Sequence, residues 1–322
     1  MEAKKPLIIL AGPTAAGKTR LSVSLAKAIG GEIISADSMQ VYTGMDIGSA
    51  KIKPAETEGI PHHLIDVLSP MEEFNVVIFQ KLFREAASQI YERGNIPILT
   101  GGTGFYIQAA LYDIDFTETT EDSAYREELA AVARKKGADF LHGMLREVDS
   151  KSADAIHPNN IKRVIRALEF YRQTNSPISG HNEQERKKES PYASCYFVLN
   201  DIREKLYAQI DKRVDEMIAD GLVSEVQNLV DAGCKKEMVS MQGLGYKEIL
   251  SYLSGETSLE EAVYLIKRNT RHFAKRQLTW FKREKEVIWI NKPDFAYDDA
   301  AMLSFMLGVI REKTGYSGGK SE

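Results

Sequence analysis

Eight consecutive residues, Gly12-Pro13-Thr14-Ala15-Ala16-Gly17-Lys18-Thr19, have the types and spacing to hold a phosphate chain. The glycines let backbone N–H groups turn inward onto phosphate oxygens, and a helix starting there adds the positive end of its dipole. Lys18 would reach the phosphates as a point charge, and the Thr19 hydroxyl would ligate Mg²⁺. The flanks fit: the apolar run Leu7–Ala11 reads as a buried strand, and the mixed stretch from Thr19 to Ile29 reads as a helix. A di- or triphosphate ligand is therefore expected at residues 12–19.

Two further apolar runs end in polar turns. Glu32–Ala36 leads into Asp37-Ser38-Met39-Gln40, and Ile96–Thr100 leads into Gly101-Gly102-Thr103-Gly104. In open α/β sheets ligands gather at the carboxyl ends of the strands, which puts Asp37 and Thr103 in the crevice of the phosphate loop. A carboxylate there could accept a proton from an attacking group; a turn or N-cap aspartate is the plainer alternative. His62 and His63 have no Cys or carboxylate at a ligand spacing, so a structural or surface place is expected rather than a metal site. Leu64-Ile65-Asp66 reads as a short buried strand, and Phe74 to Gly94 has the apolar period of a helix.

These elements imply an α/β protein: a parallel-sheet core like that of P-loop NTPases, a helical insertion and a helix-rich C-terminal region. The core is expected in two pieces, residues 1–114 and 191–322, because residues 115–190 are charged and helical before Tyr196–Leu199 returns to strand. Within the insertion, Glu127 to Lys136 reads as a solvated helix. Asn160 to Arg172 sets Ile161, Val164, Ile165 and Leu168 opposite Lys162, Arg163 and Arg166, and Gly180 to Ser190 reads as mobile. Ser258-Leu259-Glu260-Glu261 is a capping box that opens a long helix. Val287–Ile290 is a last strand, and Gly315 to Glu322 a disordered tail.

The 322 residues carry a formal charge of −4, which disfavours a histone-like or coat-like nucleic-acid binder but leaves room for a local basic face. Such a face is visible in the long helix. Lys267, Arg268, Arg271, Lys275 and Arg276 are followed by Lys282, Arg283 and Lys285, with His272, Phe273, Trp280 and Phe281 interleaved. An amphipathic helix with a solvated side is the bland alternative; the scarcity of acids favours contact with a polyanion. Cys195 and Cys234 stand in unrelated contexts, suggesting neither disulfide nor zinc site. The chain enters a core strand almost at once and has no run of membrane-spanning length, so a cytoplasmic location without membrane association is expected.

A phosphate loop, Mg²⁺, a carboxylate and a basic face fit two reactions. In a small-molecule or nucleotide kinase, Asp37 would activate a hydroxyl attacking a γ-phosphate of bound ATP. In a transferase with a diphosphate leaving group, the loop would hold that group while Asp37 activates the nucleophile. An RNA-binding ATPase is a third class, disfavoured because no buried strand is followed by the acid that class requires.

Across nearly its whole length the chain resembles the tRNA dimethylallyltransferase (tRNA isopentenyltransferase) family. The resemblance rests on residues 12–19, Ser35–Tyr42, Gly44–Lys51, Gly101–Gly104, Arg163–Glu169 and Lys275–Phe281, in order. Ala16, where the family more often has Ser, is one departure; it lies where backbone does most of the binding. The resemblance implies transfer of a dimethylallyl group from dimethylallyl diphosphate to the exocyclic amine of adenine 37 in tRNAs reading codons that begin with U, giving N6-dimethylallyladenosine. It implies catalytic roles for Asp37, Thr103 and Lys18, and a part for Arg213 in holding diphosphate. It places contacts to the tRNA anticodon stem-loop on Asp37, Ser38, Met39, Gln40, Thr103, Arg126, Lys162, Arg163, Val164, Ile165, Arg166, Gln242, Gly243, Leu244, Gly245, Tyr246 and Lys247. The basic helix adds Arg271, Lys275 and Arg276. No obligate protein partner is expected, and the chain is expected to act as a monomer.

Overall fold

The computed structural model describes residues 4–116, 123–185 and 187–315. The chain divides into two compact units, one of residues 1–113 and 190–322, the other of residues 114–189.

In the first unit every strand is parallel. The apolar run at the N-terminus is β1 (Lys5–Ala11), and the phosphate-loop segment passes from it into α1 (Lys18–Ile29). Next come β2 (Gly31–Ser35), β3 (His62–His63), α2 (Val76–Glu92), β4 (Ile96–Gly101) and α3 (Gly104–Leu111). The sheet runs β3-β2-β4-β1 and continues through the two later strands described below. β1 therefore lies in the interior, with Ala11 opposite Gly101 on β4 and Val198 on the other side. Leu7, Ile8, Ile9 and Leu10 are fully buried, as a strand covered on both faces requires.

The second strand pairing departs from expectation. Leu64-Ile65-Asp66 does not form a strand: Leu64 and Asp66 have φ of 62° and 54°, and the two histidines before them pair with Ile33 and Ile34. The reason is electrostatic. Buried Glu32 accepts hydrogen bonds from Arg93 Nε (2.8 Å) and Asn95 Nδ2 (2.8 Å), and His63 Nε2 lies 2.7 Å from its carboxylate. The Arg93 guanidinium, foremost among these, holds the Glu32 carboxyl down to about 2. The histidine pair is thus a polar edge strand tied to the sheet.

The second unit consists of α4 (Ser123–Lys136), α5 (Ala138–Val148), α6 (Ser150–Ala155), α7 (Ile161–Thr174) and α8 (Ile178–Glu185). α4 is less solvated than its charge suggests, because Leu129 and Ala133 pack with Leu141, Leu145, Val164 and Leu168. Of the stretch read as mobile, residues 180–185 belong to α8. Asp149 draws α6 and α8 together, accepting from Ser152 N (2.9 Å) and Ser179 N (2.9 Å).

Back in the first unit, β5 (Tyr192–Asn200), α9 (Arg203–Ala219), α10 (Leu222–Asp231), α11 (Tyr246–Leu253) and α12 (Leu259–Phe281) follow. Ser258 caps α12 by accepting the Glu261 N–H (3.2 Å). β6 (Val287–Asn291) completes the sheet beyond β5. α13 (Asp299–Thr314), which pattern reading passes over, buries Met302, Met306 and Ile310 at four-residue intervals. Of the tail read as disordered, residues 316–322 lie outside the described residues.

Candidate active site

At the end of β1 the backbone folds into a cradle with left-handed turns at Ala15 (φ 62°) and Gly17 (φ 92°). The Lys18 ammonium donates to the carbonyls of Gly12 (3.0 Å) and Pro13 (2.9 Å), so it closes the loop on itself. Burial, followed by the like charge of Arg213, pushes Lys18 down to about 8, while Asp37 pulls it the other way. Arg213 stands on α9, half-buried; its guanidinium is pushed down by burial and pulled up by Asp37. Lys18, Arg213 and Asp37 therefore form one mutually interacting set in the crevice.

Asp37 is held by its own turn and by its neighbour. Its Oδ1 accepts the Met39 N–H at 2.8 Å, the Asx-turn role that local sequence leaves open. Ala36 N donates to Thr100 O (2.8 Å), and Thr103 N donates to Ala36 O (3.3 Å). The Asp37 and Thr103 turns are therefore joined through backbone at the ends of adjacent strands. Thr103 stands at the N-cap of α3, half-buried.

The glycines around Thr103 answer to α12. A Cβ on Gly102 would fall 2.1 Å from Gln277 Nε2, and one on Gly104 would fall 2.2 Å from Trp280 Cδ1. Gln277, 6 % exposed, takes the Thr14 N–H on its Oε1 (2.9 Å) and donates from Nε2 to Gly102 O (3.0 Å). One side chain of α12 thereby ties the phosphate loop to the Thr103 turn. Its polarity on a line of buried positions, Ala262, Ile266, Ala274 and Phe281, is the sequence feature that could have exposed it.

A second clamp holds residues 46–48, in the segment that follows Asp37 in sequence. Glu225, on α10, accepts the N–H groups of Asp46 (2.9 Å), Ile47 (2.7 Å) and Gly48 (3.0 Å), and the Tyr246 hydroxyl (2.8 Å). Lys51, its side chain only 5 % exposed, sits between Asp46 and Asp66.

The outer side of α12 has two parts. Lys267 and Arg271 are neutralised by Asp215 and Asp211 of α9, at 2.6 and 2.5 Å. Further along, His272, Lys275, Arg276, Thr279, Trp280 and Arg283 line an open groove of about 490 Å³. Within the second unit, Glu169 is fully buried, with Arg126 Nε 2.8 Å and Arg166 Nη1 3.3 Å from its carboxylate. Lys162 and Arg163 are exposed.

Residues 40–284 match the family described as IPP transferase. The chain belongs to the IPP transferase family. It is 60% identical over 309 residues to the tRNA dimethylallyltransferase of Lachnoclostridium phytofermentans, covering 96% of this chain and 98% of that protein. Identity to the tRNA dimethylallyltransferase of Acetivibrio thermocellus is 50%, covering 91% and 94%. Among solved structures, the tRNA isopentenylpyrophosphate transferase of Bacillus halodurans is 44% identical with a TM-score of 0.73, covering 97% of this chain and 99% of that one. A eukaryotic dimethylallyltransferase acting on tRNA is 28% identical with a TM-score of 0.84, covering 98% and 81%.

For this IPP transferase family member, the structure sorts the residues expected to meet RNA. Val164 is fully buried in the second unit, and Gly245 and Tyr246 are buried in the first. Arg126, Arg166 and Arg271 have carboxylate partners of their own. Lys162, Arg163, Gln242, Lys275 and Arg276 are exposed, and Ser38, Met39, Gln40, Ile165, Gly243, Leu244 and Lys247 are half-buried. Among the described residues no group of three or more His, Cys, Asp or Glu could hold a metal ion, and no helix is long and apolar enough to cross a membrane. Cys195 and Cys234 are free and buried.

Proposed function

We propose that the protein transfers a dimethylallyl group from dimethylallyl diphosphate to the exocyclic amine of adenine 37 in tRNAs reading codons that begin with U. The observation that carries this reading is the Lys18–Arg213–Asp37 set: two cations at a phosphate loop with one carboxylate among them, in a chain of this family. Two cations suit a diphosphate that gains charge as it leaves. The allylic carbon tolerates positive charge, so breaking its bond to oxygen is the demanding event, and Lys18, Arg213 and the loop N–H groups stabilise it. The adenine amine is a poor nucleophile because its lone pair is delocalised into the ring. Asp37, oriented by the Met39 N–H, accepts the amine proton as the N–C bond forms. Thr103, fixed to Asp37 through Ala36, faces the reacting centre from the next strand. The base must leave its stack to reach these groups.

Mg²⁺ fits the donors present. The exposed Thr19 hydroxyl follows Lys18 at the start of α1, and the lack of a multi-carboxylate cluster among the described residues suits an ion held largely by diphosphate oxygens and water. When bound, the ion would neutralise charge on the departing diphosphate. The exposed cations Lys162, Arg163, Lys275 and Arg276 are assigned to the tRNA backbone, and the protein acts as a cytoplasmic monomer.

The test is one incubation with Mg²⁺, labelled dimethylallyl diphosphate and unmodified tRNA, beside another with ATP and mixed nucleosides. Label in tRNA at the adenine after the anticodon is the expected result. ATP consumed with no label in tRNA would return the kinase reading.

A further inference from the structure

The ammonium of Lys292 lies against the phosphate loop. It follows β6 directly, in a short 3-10 turn over Lys292–Phe295, and its Nζ is 3.1 Å from where a Cβ on Gly17 would sit. The sheet register explains the approach. Ala11 is level with Val198, and Asn200 is level with Asn291, so β6 ends two residues past the end of β1, beside the loop. The root of the side chain is fixed. Asn291 accepts from Asn200 Nδ2 (3.0 Å) and donates to Asp294 Oδ2 (3.0 Å), while Lys292 O receives the N–H groups of Ala296 and Tyr297. Lys292 as a residue is half-buried, and among the described residues its ammonium has no hydrogen-bond or ion-pair partner.

A cation on a fixed turn, held against the phosphate loop and without a partner of its own among the described residues, is placed to meet an anion seated in that loop. We infer that Lys292 is a further diphosphate-binding residue, which reaches the leaving group from the β6 side, across the loop from its own lysine. This rests on the prenyl-transfer reading. Its role is electrostatic: charge accumulating on diphosphate as the carbon–oxygen bond breaks is shared with a third cation. Because the link is made by charge rather than a fixed fork, arginine should serve in its place.

Titration calorimetry with Mg²⁺ and pyrophosphate tests this on the full chain, comparing wild type with Lys292→Met and Lys292→Arg. Lys292→Met should bind pyrophosphate about five- to tenfold more weakly, the scale of one charge-assisted contact, and Lys292→Arg should recover most of the loss. The KM for dimethylallyl diphosphate should rise by a similar factor while the KM for tRNA stays put. Lys292→Met binding pyrophosphate within twofold of wild type would overturn the inference and leave the prenyl-transfer reading standing. Wild type failing to bind pyrophosphate would overturn both. Should Lys292→Met lower the melting temperature, Lys292→Gln gives the same comparison.

Discussion

Gln277 Oε1 accepts the Thr14 N–H at 2.9 Å across 263 residues of chain. The same amide donates to Gly102 O, so the spacing between phosphate loop and Thr103 turn is set by α12. Gln277→Ala leaves that N–H and that carbonyl unpaired and should lower kcat at least tenfold, about 1.4 kcal/mol in the barrier. Gln277→Glu keeps the acceptor for Thr14 but cannot donate to Gly102 when ionised, and should fall between. Steady-state kinetics beside melting curves decide it. Wild-type kcat in both variants would show that the bridge does not position the reacting groups.

The Glu225 clamp makes a separate forecast. Four donors converge on one carboxylate, so Glu225→Gln must turn an NH₂ group toward at least one of them. A loss of about 2 kcal/mol is expected, the scale for a hydrogen bond to a charged group. Tyr246→Phe removes a single donor and should cost less. In both variants, protease cleavage in the segment from Asp46 to Lys51 should accelerate. Equal cleavage rates in wild type and Glu225→Gln would refute the idea that Glu225 anchors the segment following Asp37.

What could be read in the chain, and what could not, follows from range. β1, β2 and β4 are short apolar runs buried on both faces, and their polar ends announce Lys18, Asp37 and Thr103 from local sequence. Gln277 and Glu225 act on backbone 175 to 263 residues away, and no local pattern records such a partner. Charge patterning does not reveal pairing for a related reason. Arg271 looks like its neighbours Lys275 and Arg276 along α12, but the Asp211 that occupies it belongs to α9. The His62–His63 strand was likewise hidden, because the carboxylate that makes it favourable is Glu32 on β2.

Within the second unit, the arginines should separate into two classes. Arg163 is exposed, so Arg163→Glu should weaken tRNA binding and reduce the slope of log K against log salt by about 1, with little change in melting temperature. Arg126→Ala uncovers part of the charge of buried Glu169 and should cost about 3 kcal/mol of stability. Filter binding over a salt series and thermal unfolding measure the two effects. A salt slope unchanged by Arg163→Glu would mean that this face of α7 does not meet phosphates.

Lys18 should give the diphosphate site a pH limb of its own. Its folded-state pKa is lowered to about 8, so the free site holds a charged lysine below that pH and loses it above. Anion binding favours the protonated form, so the dissociation constant for dimethylallyl diphosphate should rise about fivefold between pH 8 and pH 9. The two charged neighbours fix the direction of further shifts. Arg213 lowers the Lys18 pKa, so Arg213→Gln should move the limb to higher pH even as it weakens binding; Asp37 raises it, so Asp37→Asn should move the limb lower. Lys18→Arg does not titrate in this range and should flatten the profile. Calorimetric titrations at half-unit steps from pH 7 to pH 9.5 would resolve all four curves. A limb that survives in Lys18→Arg would have to come from another group.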